Sequence, residues 1–193
     1  MDSGENDDQN RVDMSIFNFL NSKKPRPDFS EAEISEILDR AFPAEDREDY
    51  LGKAAEAGHA ARASITAKEY DKAWRLLHEQ KILYMKHANR CDWKAEDALN
   101  LDGSVSQHFA NILRLEGKND QALVHILYWI ITARNPIKGH DQKLKAYFGR
   151  CKFEDVALYD AEQFIKENKS QPDFMAIQAK VSEWRNGKTI TDS

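Results

Sequence analysis

The stretch from Gln107 to Arg134 constrains the fold of this chain more than any other part of its sequence. Its second half, Ala122 to Ala133, is apolar almost all round and carries no continuous polar stripe. A helix of this kind is normally buried on several sides. The run is too short to span a bilayer, which needs ~20 apolar residues. The sequence therefore predicts a central helix with other helices wrapped around it, and Ile126 and Trp129 among the most buried side chains.

Low turn content indicates that the rest of the chain is helical as well. The 193 residues include only eight glycines and five prolines, and apolar residues recur at helical rather than alternating spacing. We therefore predict an all-α fold of seven or eight helices with essentially no β-sheet. The pattern places helices from about Ala44 to Thr66 and from Phe153 to Asn168, a turn at Asp102-Gly103, and a last helix that starts at Ser170 and Pro172.

Charge and composition divide the chain into four parts. Met1–Asp13 holds five acids and one base, so it carries -4 of the total net charge of -5, and we expect it to be a disordered acidic tail. Residues 14–29 are expected to form an N-terminal segment with a short amphipathic helix. A capping box at Ser30 and Glu33 then opens the helical domain, which we place at residues 30–187. Residues 188–193 are expected to be a frayed end.

The charge balance and the cysteines narrow the classes of function. An acidic chain without a basic stripe argues against nucleic acid as the main partner. Cys91 and Cys151 are the only cysteines, which does not suggest a disulfide scaffold. There is no basic signal peptide and no segment that qualifies as transmembrane. We expect a cytoplasmic protein with reduced thiols, and a membrane is not the expected partner.

The sequence contains internal repetition. Three segments align, each with a helix end, a short polar turn and a second helix: Ala60–Leu77, Phe109–Ile126 and Lys143–Asp160. Their second helices start near Ala73, Ala122 and Val156, which gives steps of 49 and 34 residues. Self-similarity at such periods is typical of stacked helical repeats.

At these positions the chain resembles the tetratricopeptide repeat family, whose repeat is about 34 residues of helix–turn–helix. The matching residues are small, aromatic or bulky where that family has such residues, and the turn holds a glycine: Ala61, Tyr70, Ala73, Ala110, Gly117, Ala122, Ile126 and Phe153. The resemblance covers about residues 45–167. It implies stacked antiparallel helix pairs in a right-handed solenoid with a C-terminal capping helix. The alternative is an irregular helical bundle.

The resemblance also implies a binding face. In a stack of helix pairs the first helix of each pair lines a concave surface that binds extended partners. Helical spacing then predicts one peptide-binding stripe with Asp141 beside it: Arg62, Gln107, Asn111, Arg114, Lys145 and Phe148. Its bases could take a carboxylate through arginine forks. Solvated surface residues would give the same pattern in sequence.

No pattern typical of catalysis or cofactor binding is present. His87 and Cys91 are four residues apart, a spacing that can place two metal ligands on one helix face, but a site needs three or four ligands. His125 lies in the apolar helix and is interpreted as a hydrogen-bonded core histidine rather than a catalytic base. We therefore predict no metal, no cofactor and no enzyme activity.

The sequence thus favours a non-enzymatic adaptor or scaffold that binds a protein or peptide, with an acidic segment or a C-terminal carboxylate as the recognised group. The alternative is a compact helical protein, such as an immunity protein or a chaperone, that caps one dedicated partner with an acidic convex or end surface. The partner and the oligomeric state stay open.

The central helix gives a first prediction. We expect Trp129→Ala to lower the free energy of unfolding by ~3–5 kcal/mol, because truncation of a buried tryptophan leaves a cavity. Urea denaturation of the wild type and the variant measures this loss. A loss below ~1 kcal/mol would mean that the helix is exposed rather than central.

Overall fold

The computed structural model describes Ser30, Ala32 and residues 48–187 of the chain. The chain divides into two units, Met1–Arg47 and Glu48–Ser193, and the helical body that the structure describes belongs to the second. The predictions for the acidic tail, for residues 14–29 and 188–193, and for the capping box fall wholly or partly outside the described residues.

Seven helices account for most of residues 48–187. They are α1 (Tyr50–Thr66), α2 (Tyr70–Arg90), α3 (Ala95–Leu115), α4 (Asn119–Thr132), α5 (His140–Cys151), α6 (Leu158–Asn168) and α7 (Phe174–Asn186). This part of the chain contains no strand. The prediction of an all-α fold is therefore confirmed for the residues that the structure describes.

Aspartate side chains set two of the helix starts. The carboxylate of Asp49 accepts a backbone N–H of the first turn at 2.8 Å, so α1 starts directly after it. The predicted start at Ala44 is therefore wrong. The carboxylate of Asp173 likewise accepts a first-turn N–H at 2.8 Å, so α7 starts beyond the predicted Ser170 and Pro172. Serine and proline start signals gave the wrong starts, because the oxygens that accept the free N–H groups belong to aspartates further along the chain.

The predicted turn at Asp102-Gly103 is wrong, since α3 passes through both residues without a break. Gly103 is buried where α3 meets α4, and a Cβ added there would lie 1.8 Å from Thr132 Oγ1. The Thr132 hydroxyl is itself held, because it donates to the Tyr128 carbonyl oxygen at 2.8 Å. The glycine therefore permits the close approach of two helices rather than a turn.

The first two helix pairs close with the same turn. Residues 67–69 join α1 to α2, and residues 116–118 join α3 to α4. In both turns an N–H donates to a carbonyl five residues back, from Glu69 to Ser64 at 2.9 Å and from Lys118 to Leu113 at 2.8 Å. The middle residue of each turn has a positive φ, 62° in the first and 78° in the second. This bonding is the Schellman pattern, so the backbone repeats in these two pairs.

The core residues repeat in the same two pairs. The small and bulky positions on which the resemblance rests in these pairs have no exposed surface: Ala61, Ala73, Ala110, Ala122 and Ile126. Leu77, which aligns with Ile126, is likewise fully enclosed. Small residues at these positions let paired helices approach closely.

The third predicted pair departs from the pattern. α5 ends at Cys151, and Phe153 lies in the connection rather than in a helix. α6 begins later, after a turn in which Asp160 accepts the Ala157 N–H at 2.7 Å. Both α5 and α6 pack against α4. The described residues thus form two repeated hairpins followed by helices around α4, and the right-handed solenoid stays a prediction.

α4 is the central helix of this body. It packs against α3, α5, α6 and α7, and almost every residue from Ala122 to Thr132 is buried. Ile126 has no exposed surface and Trp129 is 7% exposed, so the prediction that both are among the most buried residues is confirmed. The Trp129 ring also meets His140 edge to face, with centroids 4.4 Å apart.

The α3–α4 contact predicts opposite effects for two glycine substitutions. We expect Gly103→Ala to destabilise the protein by ~1–3 kcal/mol, because the new methyl group collides with a side chain that cannot move freely. The matched control is Gly149→Ala in α5, where a Cβ meets nothing within 4 Å. That change should stabilise by ~0.5–1 kcal/mol through helix propensity. Urea denaturation measures both, and stabilisation by Gly103→Ala would contradict the close contact.

Candidate functional site

The predicted site residues are distributed over three helices. Arg62 is exposed on α1 and Lys145 is exposed on α5. Gln107, Asn111 and Arg114 are half-buried on α3. The last two form one unit, because Arg114 Nη2 donates to Asn111 Oδ1 at 2.8 Å. This bond orients the guanidinium and leaves most of its N–H donors unused.

Phe148, which was predicted to line the same surface, lies in the core. Its side chain is 9% exposed. The ring meets Phe153 and Trp184 edge to face, with centroid distances of 5.4 and 6.3 Å. Its role in this structure is therefore to join α5 to α7.

Two residues that the sequence reasoning left out of the site act together with Arg62. His108 is half-buried on α3. Burial lowers the pKa of its imidazole, and the positive charges of Arg62 on α1 and Lys143 on α5 lower that pKa further. Charges near a protein surface act over roughly a Debye length of about 10 Å. The charges of Arg62 on α1 and Lys143 on α5 therefore both act on His108 of α3.

We call this group the cationic stripe: Arg62, His108, Asn111, Arg114 and Lys143. Among the described residues, none of its three permanent cations makes a salt bridge, whereas Lys81, for example, pairs with Asp102 at 3.0 Å. Neighbouring like charges repel, and a surface of one sign attracts counter-charged ligands. The stripe is therefore suited to binding an anionic group.

Helical register explains why Lys143 was missed. The alignment of the repeats matched Lys145 to Asn111 and Phe148 to Arg114, but the Phe148 ring is in the core. Each residue of a helix turns by about 100°, so Lys143 and Lys145 point about 200° apart. The charge that acts on His108 comes from Lys143. If the buried face of α5 is assigned first, the pattern favours Lys143 over Lys145 as the site residue. A role for Lys145 in binding stays a prediction.

An aromatic cluster surrounds His125 on α4. Its ring stacks on Phe109 at a centroid distance of 5.2 Å and contacts Phe174 at 5.0 Å. Its Nδ1 is sealed from solvent and has no hydrogen-bond partner, so the predicted hydrogen bond is absent at that atom. Burial, with a smaller effect from Lys81, lowers its pKa to about 4. A neutral imidazole held between aromatic rings is a packing element.

A polar clamp joins α2, α3 and α4 beside this cluster. Asp102 Oδ2 accepts the Tyr128 hydroxyl at 2.8 Å and the Lys81 ammonium at 3.0 Å. Burial and the Asp102 carboxylate raise the pKa of Tyr128, so its hydroxyl keeps its proton. The clamp satisfies a largely buried carboxylate.

The cysteines and histidines considered as metal ligands do not gather into a site in the part of the chain that the structure describes. Cys91 Sγ is 3.7 Å from His87 Nε2, so the four-residue spacing does place the two on one helix face. Within residues 48–187 no group of three or more potential metal ligands is gathered. Cys151 is buried, and burial raises the pKa of its thiol to about 12. A thiol that keeps its proton is a poor nucleophile and metal ligand.

Comparison with known proteins adds no relative. No family model matches the sequence, and neither a curated protein nor a solved structure matches it. The likeness to tetratricopeptide repeats therefore depends on the residue positions and the repeated turn described above. Of the helices that the structure describes, none combines the length and apolarity needed to cross a membrane.

The buried imidazole predicts a loss of stability in acid. Unfolded histidine takes up a proton near pH 6.5, whereas folded His125 does so only near pH 4. Between these values the unfolded state binds more protons, so stability falls as the pH falls through this window, by about 3 kcal/mol from His125. We expect His125→Phe to reduce this loss without abolishing it, because burial also lowers the pKa of His78 and His140.

Urea denaturation of the wild type and His125→Phe at several pH values between about 6.5 and about 4 measures this effect. His59→Phe, which changes an exposed imidazole on α1, is the matched control and should keep the wild-type pH dependence. An equal loss of stability in the wild type and His125→Phe would show that His125 is not the buried neutral group.

Proposed function

We propose that this protein is a non-enzymatic binding module that recognises an acidic segment of a protein or peptide on the cationic stripe. One observation carries the proposal: cations from α1 and α5 act on a single half-buried histidine of α3. Both charges that act on this histidine are positive, and among the described residues the stripe's cations have no carboxylate partner. A ligand that supplies the carboxylates would remove this repulsion.

The chemistry of the stripe supports a carboxylate-bearing ligand. Guanidinium groups bind carboxylates in a planar, two-bond arrangement, and Arg114 is already oriented by Asn111. Lys143 adds a point charge from another helix. An extended peptide with several acids could contact all three helices, so both acidic side chains and a C-terminal carboxylate fit the proposal.

A second candidate function is the capping of one dedicated partner through an acidic surface. A groove of about 570 Å³ between α6 and α7 favours it. Acidic side chains dominate its polar lining: Asp155, Asp160, Glu167 and Glu183. Lys180 offsets part of that charge through its pair with Glu183 at 2.8 Å. A basic partner held there would be insensitive to changes in the cationic stripe.

Charge reversal tests the proposed function. The full chain is titrated with a fluorescein-labelled oligoglutamate peptide at low salt, and binding is followed by fluorescence anisotropy. We expect Arg62→Glu, Arg114→Glu and Lys143→Glu each to weaken binding by about tenfold, the equivalent of ~1.4 kcal/mol. Added salt should weaken wild-type binding, because the recognition is electrostatic.

Arg75→Glu and Lys166→Glu are the matched controls, since both residues are exposed and lie on other helices, α2 and α6. They change the net charge by the same amount and should leave affinity within about twofold, as expected for distant surface charges. If the control and stripe variants weaken peptide binding equally, net charge alone explains the effect and the stripe is not the binding site. Absence of wild-type binding at low salt would exclude an acidic ligand.

A further inference from the structure

His87 and Cys91 form a pair of metal-ligand side chains at the end of α2. The Cys91 N–H donates to the His87 carbonyl oxygen at 3.0 Å, so the two residues keep the spacing of one helical turn. Cys91 Sγ lies 3.7 Å from His87 Nε2 and 3.9 Å from His87 Nδ1. A nitrogen and a sulfur bound to one tetrahedral zinc ion are about 3.5 Å apart, given Zn–N and Zn–S bonds of about 2.0 and 2.3 Å. The pair therefore has the separation of two zinc ligands.

The turn after α2 supports the imidazole of this pair. The Trp93 N–H donates to the Ala88 carbonyl oxygen at 2.9 Å, and Asp92 before it has a φ of 51°. This turn brings the Trp93 ring against His87 edge to face, with centroids 5.3 Å apart. Groups that orient a metal-ligating histidine strengthen metal binding. Cys91 is exposed and His87 is half-buried, so a metal ion from solution can reach both side chains.

One chain supplies only half of the ligands that a closed zinc site needs. Within residues 48–187 no third potential ligand joins His87 and Cys91. Structural zinc sites have four protein ligands, and two nitrogens with two sulfurs in a tetrahedron are a typical set. Two copies related by a twofold axis present the same surface to each other, so together they supply this set. Their two thiolates also balance the charge of one Zn²⁺.

The surface next to this pair is suited to contact with a second copy. Trp93 is 40% exposed, and it lines a groove of about 570 Å³ together with Leu101 and Ile137, which is 50% exposed. The two charged residues of the groove, Asp97 and Arg134, pair with each other at 2.7 Å. A surface near a twofold axis meets its own counterpart, and this one does so without unbalanced charge. Its apolar side chains would leave water in such a contact.

We propose that two copies of this chain bind one Zn²⁺ between them through His87 and Cys91 of each copy, and that the dimer covers the groove beside Trp93. No residue of the cationic stripe takes part, so the inference does not rest on the proposed function. Each thiol releases its proton to water as its sulfur binds the metal. A higher pH therefore favours the zinc-bound dimer.

Zinc titration of the full chain, with a thiol-free reductant present to prevent disulfides, tests this site. Calorimetry measures the stoichiometry and light scattering measures the mass. We expect one Zn²⁺ per two chains and a doubled mass, both reversed by EDTA. His87→Gln and Cys91→Ser should each stay monomeric and bind zinc about 100-fold more weakly or worse, because even the loss of an outer-shell partner costs about 10–100-fold in metal affinity.

His59→Gln and Cys151→Ser are the matched controls, since they change an exposed histidine on α1 and the buried cysteine of α5. Both should dimerise with zinc as the wild type does. Zinc binding to single chains without a change in mass would overturn the shared site. A dimer that persists in EDTA and in Cys91→Ser would show association without the metal. Zinc-dependent dimers of both His87→Gln and Cys91→Ser would assign the ion to other ligands and overturn the inference as well.

Discussion

The burial of α4 is the constraint on which the rest of the structure depends. This helix has no polar stripe, so it is stable in water only when other helices cover most of its surface. α3, α5, α6 and α7 provide this cover. The close contact at Gly103 brings α3 down onto α4, and α2 in turn packs on α3. The positions of the helices that carry the stripe thus follow from the need to enclose one segment.

Local sequence was sufficient to predict most of the helical segments and to identify the helix at the centre. Periodicity identified the apolar face of each long helix, and the alignment of two segments predicted a turn that the backbone repeats at Lys68 and Gly117. Helix starts were less accurate, because single carboxylates such as Asp49 override the apolar pattern. The sequence predicts a turn at Gly103 because the residue that requires a glycine there, Thr132, lies 29 residues further along the chain. No local pattern shows that contact.

The candidate site could be predicted only in part, for a related reason. Arg114 was identified from register within its own helix, and Arg62 from the alignment of the repeats. The combined effect of Arg62 and Lys143 on the pKa of His108 involves three helices that are separate in sequence, and no local pattern contains that information. Phe148 was misplaced because an aromatic residue at the edge of an apolar face has the same sequence signature whether it is covered or not. In this structure Trp184 covers it.

The composition of α1 has a consequence for dynamics. Every residue that α1 buries is small: Ala54, Ala57, Gly58, Ala61 and Ser64. Hydrophobic stabilisation scales with the apolar area removed from water. The packing of α1 on the body therefore contributes less hydrophobic free energy than the packing of a helix with large buried side chains. Segments of this kind open locally at low free-energy cost, ahead of global unfolding. Arg62 belongs to α1, so each opening event would displace one cation of the cationic stripe. If the stripe binds a peptide as proposed, a peptide that contacts both α1 and α3 would stabilise α1 on the body, and the amide hydrogens of α1 would then exchange with solvent more slowly in the complex than in the free protein.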